Sequence, residues 1–467
     1  MTKVSSYRRI AVLDIGKTNA KVVVLESASA REIASLRISN TVLKDGPYPH
    51  YDVERLWTFL LDALKHFARE PGFDAISITT HGASAALLGK DRSLAMPVLD
   101  YEHEYPTEIV AAYTALRPSF SETFSPRLPM GLNVGAQLHF QQTAFPDDFA
   151  NVSEIVTYPQ YWAGRLTGVF VNEVTSLGCH TDLWNPKTGS YSFLVDRLGL
   201  RDLMAPVRSA FDALGPVLPD IAVEIGLSTD IPVYCGIHDS NASLLAHLVE
   251  REAPFAVVST GTWVVIFGVG GDLDHLDPAR DTLANVDAYG RTVPSARFMG
   301  GREFEIVTGE IGNVEEDDIE AAIVPVLANG LMLLPNVAAG SGPFPGQTMR
   351  WLGAENASPA ERHVALSLYL GLMSEVCLGL VGAKGPILVE GPFALNAIYL
   401  SVLHALTGRQ VIAVPGSTGT SNGAALLTGI RPAEPALAPT SLLALPDLMG
   451  YRKQWHAALA APPPPAL

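Results

Sequence analysis

Apolar positions in this chain come in blocks, and their period changes from block to block. Residues 10–25 run apolar as IAVLDI, break into the polar GKTN and resume as AKVVVL. That pattern predicts a strand, a tight turn opening at Gly16 and a returning strand. Residues 256–267, AVVSTGTWVVIF, repeat it around Gly261. Two such hairpins, about 245 residues apart, predict two domains of similar design, each opened by a hairpin. Between them VERLWTFLLDALKHFARE has the 3.6-residue period of a helix, and FDAISITTHG is a short buried-type strand ending at a turn. The second half continues the mixture, with PILVEG as strand and NAIYLSVLHALTG as helix. This alternation predicts α/β domains with helices packed on mixed sheets.

A chain of 467 residues exceeds one ordinary core. The expected division falls near 245–255, after the helix SNASLLAHLVE, giving domains 1–248 and 249–467. From about residue 431 Pro and Ala dominate, and the final APPPPAL is expected to be a frayed or extended tail. No apolar stretch is expected to reach the length that spans a bilayer, so no membrane role is expected.

Charge narrows the function. The 48 acidic residues outnumber the 32 basic ones, a formal charge of -16, whereas a nucleic-acid partner needs clustered Lys and Arg. An acidic enzyme can still hold a nucleotide through backbone N–H groups, one or two cations and Mg²⁺. The three cysteines, Cys179, Cys235 and Cys377, match no zinc spacing and leave one unpaired in any disulfide scheme. A reducing compartment fits them. The N-terminus passes directly into a strand-like run instead of an apolar signal core, so a cytoplasmic protein is expected.

Gly16-Lys17-Thr18 has the look of a P-loop ending, but that motif needs a glycine where Ala11 stands, and a strand follows instead of a helix. What remains is a hairpin tip bearing Asp14, Gly16, Thr18, Asn19 and Lys21. Its N–H groups and hydroxyl can cradle phosphate, Lys21 can neutralise charge, and Asp14 can hold hydrated Mg²⁺. The same residues also suit a plain tight turn in which Asp14 and Asn19 satisfy backbone N–H groups. The second tip, Ser259-Thr260-Gly261-Thr262, offers hydroxyls and a glycine. Asp239, at a strand end and helix start, can accept the proton of an attacking hydroxyl or simply cap its helix. His238 beside it reads as structural or supporting. His81 also follows a strand, where a hydrogen-bonded structural role competes with ligand contact. Asp100 reads as a solvated loop carboxylate. Gly391 and Asn396 in VEGPFALN fit a strand-to-helix turn with an Asn cap.

Taken in order, DIGKTNAK, ITTHGASAALLGKDRSLAMPVLDYE, GIHD, STGTW, LLPNVAAGSGPFPG, VEGPFALN and GSTGTSNGAALLTG resemble the motifs of the FGGY family of carbohydrate kinases over nearly the whole chain. The resemblance implies two actin-like (ribonuclease H-like) domains with ATP and sugar in a cleft between them. It makes Asp239 the general base and a sugar contact, and gives Mg²⁺ to Asp14. It gives phosphate to Gly16, Thr18, Asn19, Lys21, Thr260, Gly261 and Thr262, adenosine to Gly391 and Asn396, and sugar to His81. The motif near adenosine usually has a second glycine, where this chain has Pro392. DIGKTNAK, GIHD, STGTW and FMGGREFEIV look most like the kinases of L-rhamnulose and L-fuculose. The implied partner is a small sugar, and a homodimer is compatible with everything read so far. Two rivals share the superfold, a chaperone-like ATPase and a non-catalytic sugar sensor. The first is expected to carry a peptide-binding domain, and the second to have lost Asp239.

Overall fold

The computed structural model describes residues 7–227, 230–414, 419–432 and 440–460. The chain divides into two compact units. The first comprises Met1–Arg251, Ala284–Thr292 and Thr418–Pro435, and the second Glu252–Leu283, Val293–Ser417 and Ala436–Leu467.

The strand Arg9–Ile15 is the spine of the first unit. Every residue after Arg9 is buried, as expected of a strand paired on both edges and covered on both faces. It pairs antiparallel with Asn19–Glu26 and parallel with Ala75–Thr80. The sheet runs Ala213–Pro216, Pro232–Tyr234, Ala75–Thr80, Arg9–Ile15, Asn19–Glu26, Glu32–Ser39, and Ile237–His238 also pairs parallel with Ala75–Thr80. The helix Val53–Arg69 forms where the 3.6-residue pattern predicts it. Asp52 caps it by accepting the Arg55 N–H, and Leu56, Leu60, Leu64 and Phe67 on one face enter the core.

Register positions the site. Asp14 lies opposite Thr79 and Ile15 opposite Thr80, while Ile237 and His238 lie opposite those same two threonines from the other side. Gly16, His81 and Asp239 therefore leave three adjacent parallel strands at the same end, where α/β sheets present their chemistry.

The second unit repeats the plan. Its hairpin, Phe255–Thr260 and Val264–Val269, is antiparallel, and Thr292–Phe298 extends it on one side. On the other side Ile387–Glu390 and then Val411–Val414 pair parallel. An antiparallel meander continued by parallel strands is what actin-like domains require, and both units have it.

One expectation fails here. The helix Pro359–Leu380 is long and apolar enough to cross a membrane, but most of it is buried within this unit. Its hydropathy is that of a helix surrounded by protein, and it begins at a capping box between Ser358 and Glu361. The Pro/Ala-rich end holds regular structure before its final residues. Leu448–Ala460 is a helix, and Trp455 on it is fully buried with its indole N–H donating to Leu333 O at 2.9 Å. The expected tail at 461–467 lies outside the described residues.

Candidate active site

Asp239 is the first residue of the helix Asp239–Glu250, and His238 holds the N-cap position without a side-chain cap bond. The capping role open to Asp239 is thus not the one it plays. Its Oδ1 accepts the Ser240 N–H at 2.6 Å and lies 3.1 Å from His238 Nε2. Oδ2 makes no hydrogen bond among the described residues, and the side chain is 30% exposed. Burial acts to raise the carboxyl, but the His238 imidazole beside it, with His81 and the Ser240 N–H, holds it below the ordinary carboxylate range. Asp239 is therefore an ionised carboxylate with one oxygen free.

His81 is buried. Its Nδ1–H donates to Gly82 O at 2.9 Å, and Nε2 has no partner among the described residues. Burial is the main influence that pushes its pKa down to about 4, so near neutral pH Nε2 is a bare acceptor suited to a hydroxyl donor. The ring sits among Tyr51 and Tyr158, both at 5.0 Å between centroids, and Tyr101 at 5.6 Å.

Lys17, at the tip of the first hairpin, lies over the rings of Tyr51 and Tyr101 at 5.1 and 4.6 Å. Its ammonium pairs with Asp100 and lies 3.4 Å from Glu102. Asp100 is consequently not a solvated loop carboxylate. It is buried, and it also accepts from Tyr51 Oη at 3.3 Å. Sequence reasoning left Lys17, Tyr51 and Tyr101 without a role, although the apolar run before Asp100, MPVL, was a sign that this loop turns inward.

Asp14 is buried at the end of its strand. Lys21, its cross-strand partner, reaches it at 3.4 Å. The hydroxyls of Thr420 and Ser421 both donate to Asp14 Oδ2, the second at 2.6 Å. These two were the other residues missed, although they sit in the small-residue run GSTGTSNG. The turn closes by Gly16 N–H donating to Asn19 O at 2.8 Å, and Thr18 and Asn19 are exposed at its tip. Among the described residues no group of three or more His, Cys, Asp or Glu could hold a metal ion. Oxygen donors around one carboxylate still suit Mg²⁺, which keeps most of its waters and uses one or two carboxylates.

In the second unit the candidates build a frame. The Thr260 hydroxyl is buried, donates to Glu390 O at 2.5 Å and accepts the Phe393 N–H at 3.1 Å. Gly391 has φ +81°, and a Cβ there would fall 1.9 Å from Thr260 O. No other residue fits so close an approach. Pro392 opens a 3-10 turn, a first-turn position that suits proline. Asn396 caps the helix Ala397–Thr407 by accepting the Tyr399 N–H, and its Nδ2 donates to Ser367 Oγ at 3.0 Å. Gly261 donates its N–H to Trp263 O, and Gly261 and Thr262 are exposed at the tip.

Comparison with known proteins agrees with this plan. The model for the N-terminal domain of the FGGY family of carbohydrate kinases matches residues 9–246, and that for the carbohydrate kinase FGGY C-terminal domain matches residues 252–437. A rhamnulokinase of Halalkalibacterium halodurans is 23% identical over 54% of this chain and 55% of its own. An L-fuculokinase of Escherichia coli is 20% identical over 57% of each. The chain thus spans little more than half the length of these curated relatives. The crystal structure of a carbohydrate kinase from Novosphingobium aromaticivorans is 37% identical, with a TM-score of 0.88 over 98% of this chain and 99% of that one.

Proposed function

The chain belongs to the FGGY family of carbohydrate kinases, and on that premise we propose that it transfers the γ-phosphate of MgATP to a hydroxyl of a small ketose. The L-rhamnulose and L-fuculose class is favoured, because the matched relatives include kinases named for those sugars. The observation that carries the reading is the convergence of Gly16, His81 and Asp239 at three adjacent strand ends, where Asp239 is ionised with one oxygen free.

In this reading the first unit takes the sugar. His81 Nε2 accepts one hydroxyl, the Tyr51 and Tyr101 rings wall the carbon skeleton, and the Lys17–Asp100 pair donates to and accepts from another. Asp239 Oδ2 accepts the proton of the attacking hydroxyl as its oxygen bonds to the γ-phosphorus, and the bond from that phosphorus to the β,γ-bridging oxygen breaks to release ADP. Asp14 would hold hydrated Mg²⁺, which supplies charge neutralisation at the phosphate oxygens. Lys21, Thr18 and Asn19 meet phosphate at the first tip and Gly261 and Thr262 at the second, while Thr260, Gly391 and Asn396 shape the turn offered to adenosine. The three cysteines are free and buried, which suits a reducing cytoplasm.

The test is ADP release with L-rhamnulose, L-fuculose, D-xylulose, L-ribulose and glycerol, comparing the wild type with Asp239→Asn. One ketose should be turned over well above the ATP-only rate, and D239N should lose about 10²- to 10⁴-fold in kcat while still binding ATP. No sugar-dependent ADP release across the panel would sink the kinase reading.

A further inference from the structure

The residue before the base is built into the fold more firmly than a neighbour in sequence needs to be. His238 is buried. Its backbone N–H donates to Thr175 Oγ1 at 3.1 Å, and Thr175 in turn is anchored by its own N–H and hydroxyl to the buried carboxylate of Glu173. The ring is fixed at both nitrogens, with Nδ1 facing the Asn241 side-chain amide at 3.2 Å and Nε2 facing Asp239 Oδ1 at 3.1 Å. Space for it is made by Gly82, where a Cβ would lie 2.7 Å from Nε2 and 2.9 Å from Cδ2.

We propose that His238 is a positioning residue, whose imidazole pins Oδ1 of Asp239 and so leaves Oδ2 presented to the substrate hydroxyl. The proposal rests on Asp239 being the base. Three donors reach this carboxylate oxygen, the Ser240 N–H, the Ser240 hydroxyl at 3.4 Å and His238 Nε2–H, and the imidazole adds to the Ser240 contacts a rigid, buried ring that limits rotation of the group. A charged imidazole, which donates from both nitrogens, fits when the Asn241 amide turns its oxygen, without a partner among the described residues, toward Nδ1. Burial opposes that charge, but Cys179 and Asp239 raise His238 well above the ordinary histidine value. The other titratable groups facing the pair are Glu173, whose charge acts on His238, His81, which couples to both residues, and Tyr101, which feels Asp239.

The experiment measures kcat, sugar KM and the pH dependence of kcat/KM for H238A, H238Q, G82A and D239N, each checked for native circular dichroism and melting temperature. Asp239 ionisation is followed separately by carboxyl ¹³C NMR in the wild type and H238Q, with no substrate present. H238A should lose about 10- to 100-fold in kcat with sugar KM within a few-fold. H238Q, which keeps a donor but no charge, should recover part of that loss. Losing the neighbouring charge should move the acid limb, and the Asp239 titration, up by about one pH unit in H238Q. G82A, which crowds the ring without removing it, should lower kcat in the same direction. An inactive D239N together with unshifted limbs and normal kcat in H238A and H238Q overturns the positioning role while leaving the kinase intact. A fully active D239N overturns the base and the positioning role together.

Discussion

A buried ion pair beside a binding site is costly unless its geometry is good, and leaving one partner behind costs more. The half-buried Lys17 and the buried Asp100 form a pair of this kind between the hairpin tip and the loop carrying Tyr101. If the pair reads a sugar hydroxyl, Lys17→Met should raise sugar KM by about 10- to 150-fold, since one lost hydrogen bond to a charged group is worth roughly 1.5–3 kcal/mol. The KM for MgATP should stay within a factor of about two. An equal rise in both, measured by coupled assay, would assign Lys17 to phosphate instead. Glu173 is a second residue with a measurable signature. Burial pushes its pKa up to about 7, against the lowering effect of its bonds from Thr175. An unfolded chain releases that proton near the ordinary glutamate value, so folding stability falls as pH rises from about 4.5 to 7 and then levels. Glu173→Gln removes this loss, and denaturant unfolding should show it more stable than wild type at pH 8, by on the order of 2 kcal/mol, with the advantage gone at pH 4. Neither role was legible in the residue string. A lysine at a turn and a glutamate before a short helix look like surface groups until tertiary packing buries them, and burial is what changes their chemistry.

At the level of elements, patterns of period were enough. Both hairpins, the helix Val53–Arg69 and the strand Ala75–Thr80 stand where the apolar alternation put them, because each buries a continuous face whose spacing is local information. The helix Leu448–Ala460 was hidden by the Pro/Ala composition around it, since Trp455 and Tyr451 are isolated apolar anchors that show their value only against a partner core. Trp455→Ala should therefore cost about 3–5 kcal/mol in urea unfolding, as large-to-small changes in cores do, where a tail residue would cost nothing. Thr260 carries a similar lesson. Its hydroxyl ties two peptide groups of the 390–393 turn, so Thr260→Val should lower the unfolding midpoint even without nucleotide. If T260V instead melts like the wild type and loses only MgATP use, the hydroxyl belongs to phosphate and the turn does not depend on it.

On the scale of the whole molecule, each unit has its own core, and ligand should act on stability unit by unit. The ketose identified by the ADP assay, added without nucleotide at about 100 times its Kd, should raise the stability of the first unit by roughly 2.7 kcal/mol by mass action. Differential scanning calorimetry should show this as an upward shift of one transition while the other stays in place. A single transition that moves as a whole would mean that the units melt as one. The first unit is also assembled from three separate stretches of chain, and the hydroxyls that hold Asp14 come from Thr420 and Ser421, more than 400 positions downstream. A ribosome making this protein has therefore released the sheet and Asp239 long before it delivers the residues that complete their corner. The nascent N-terminal portion must wait, with the corner beside Asp14 uncovered, until most of the second unit has been translated. A premature stop anywhere before about residue 430 should thus yield no small sugar-binding remnant, only an unfinished fold for proteases to clear.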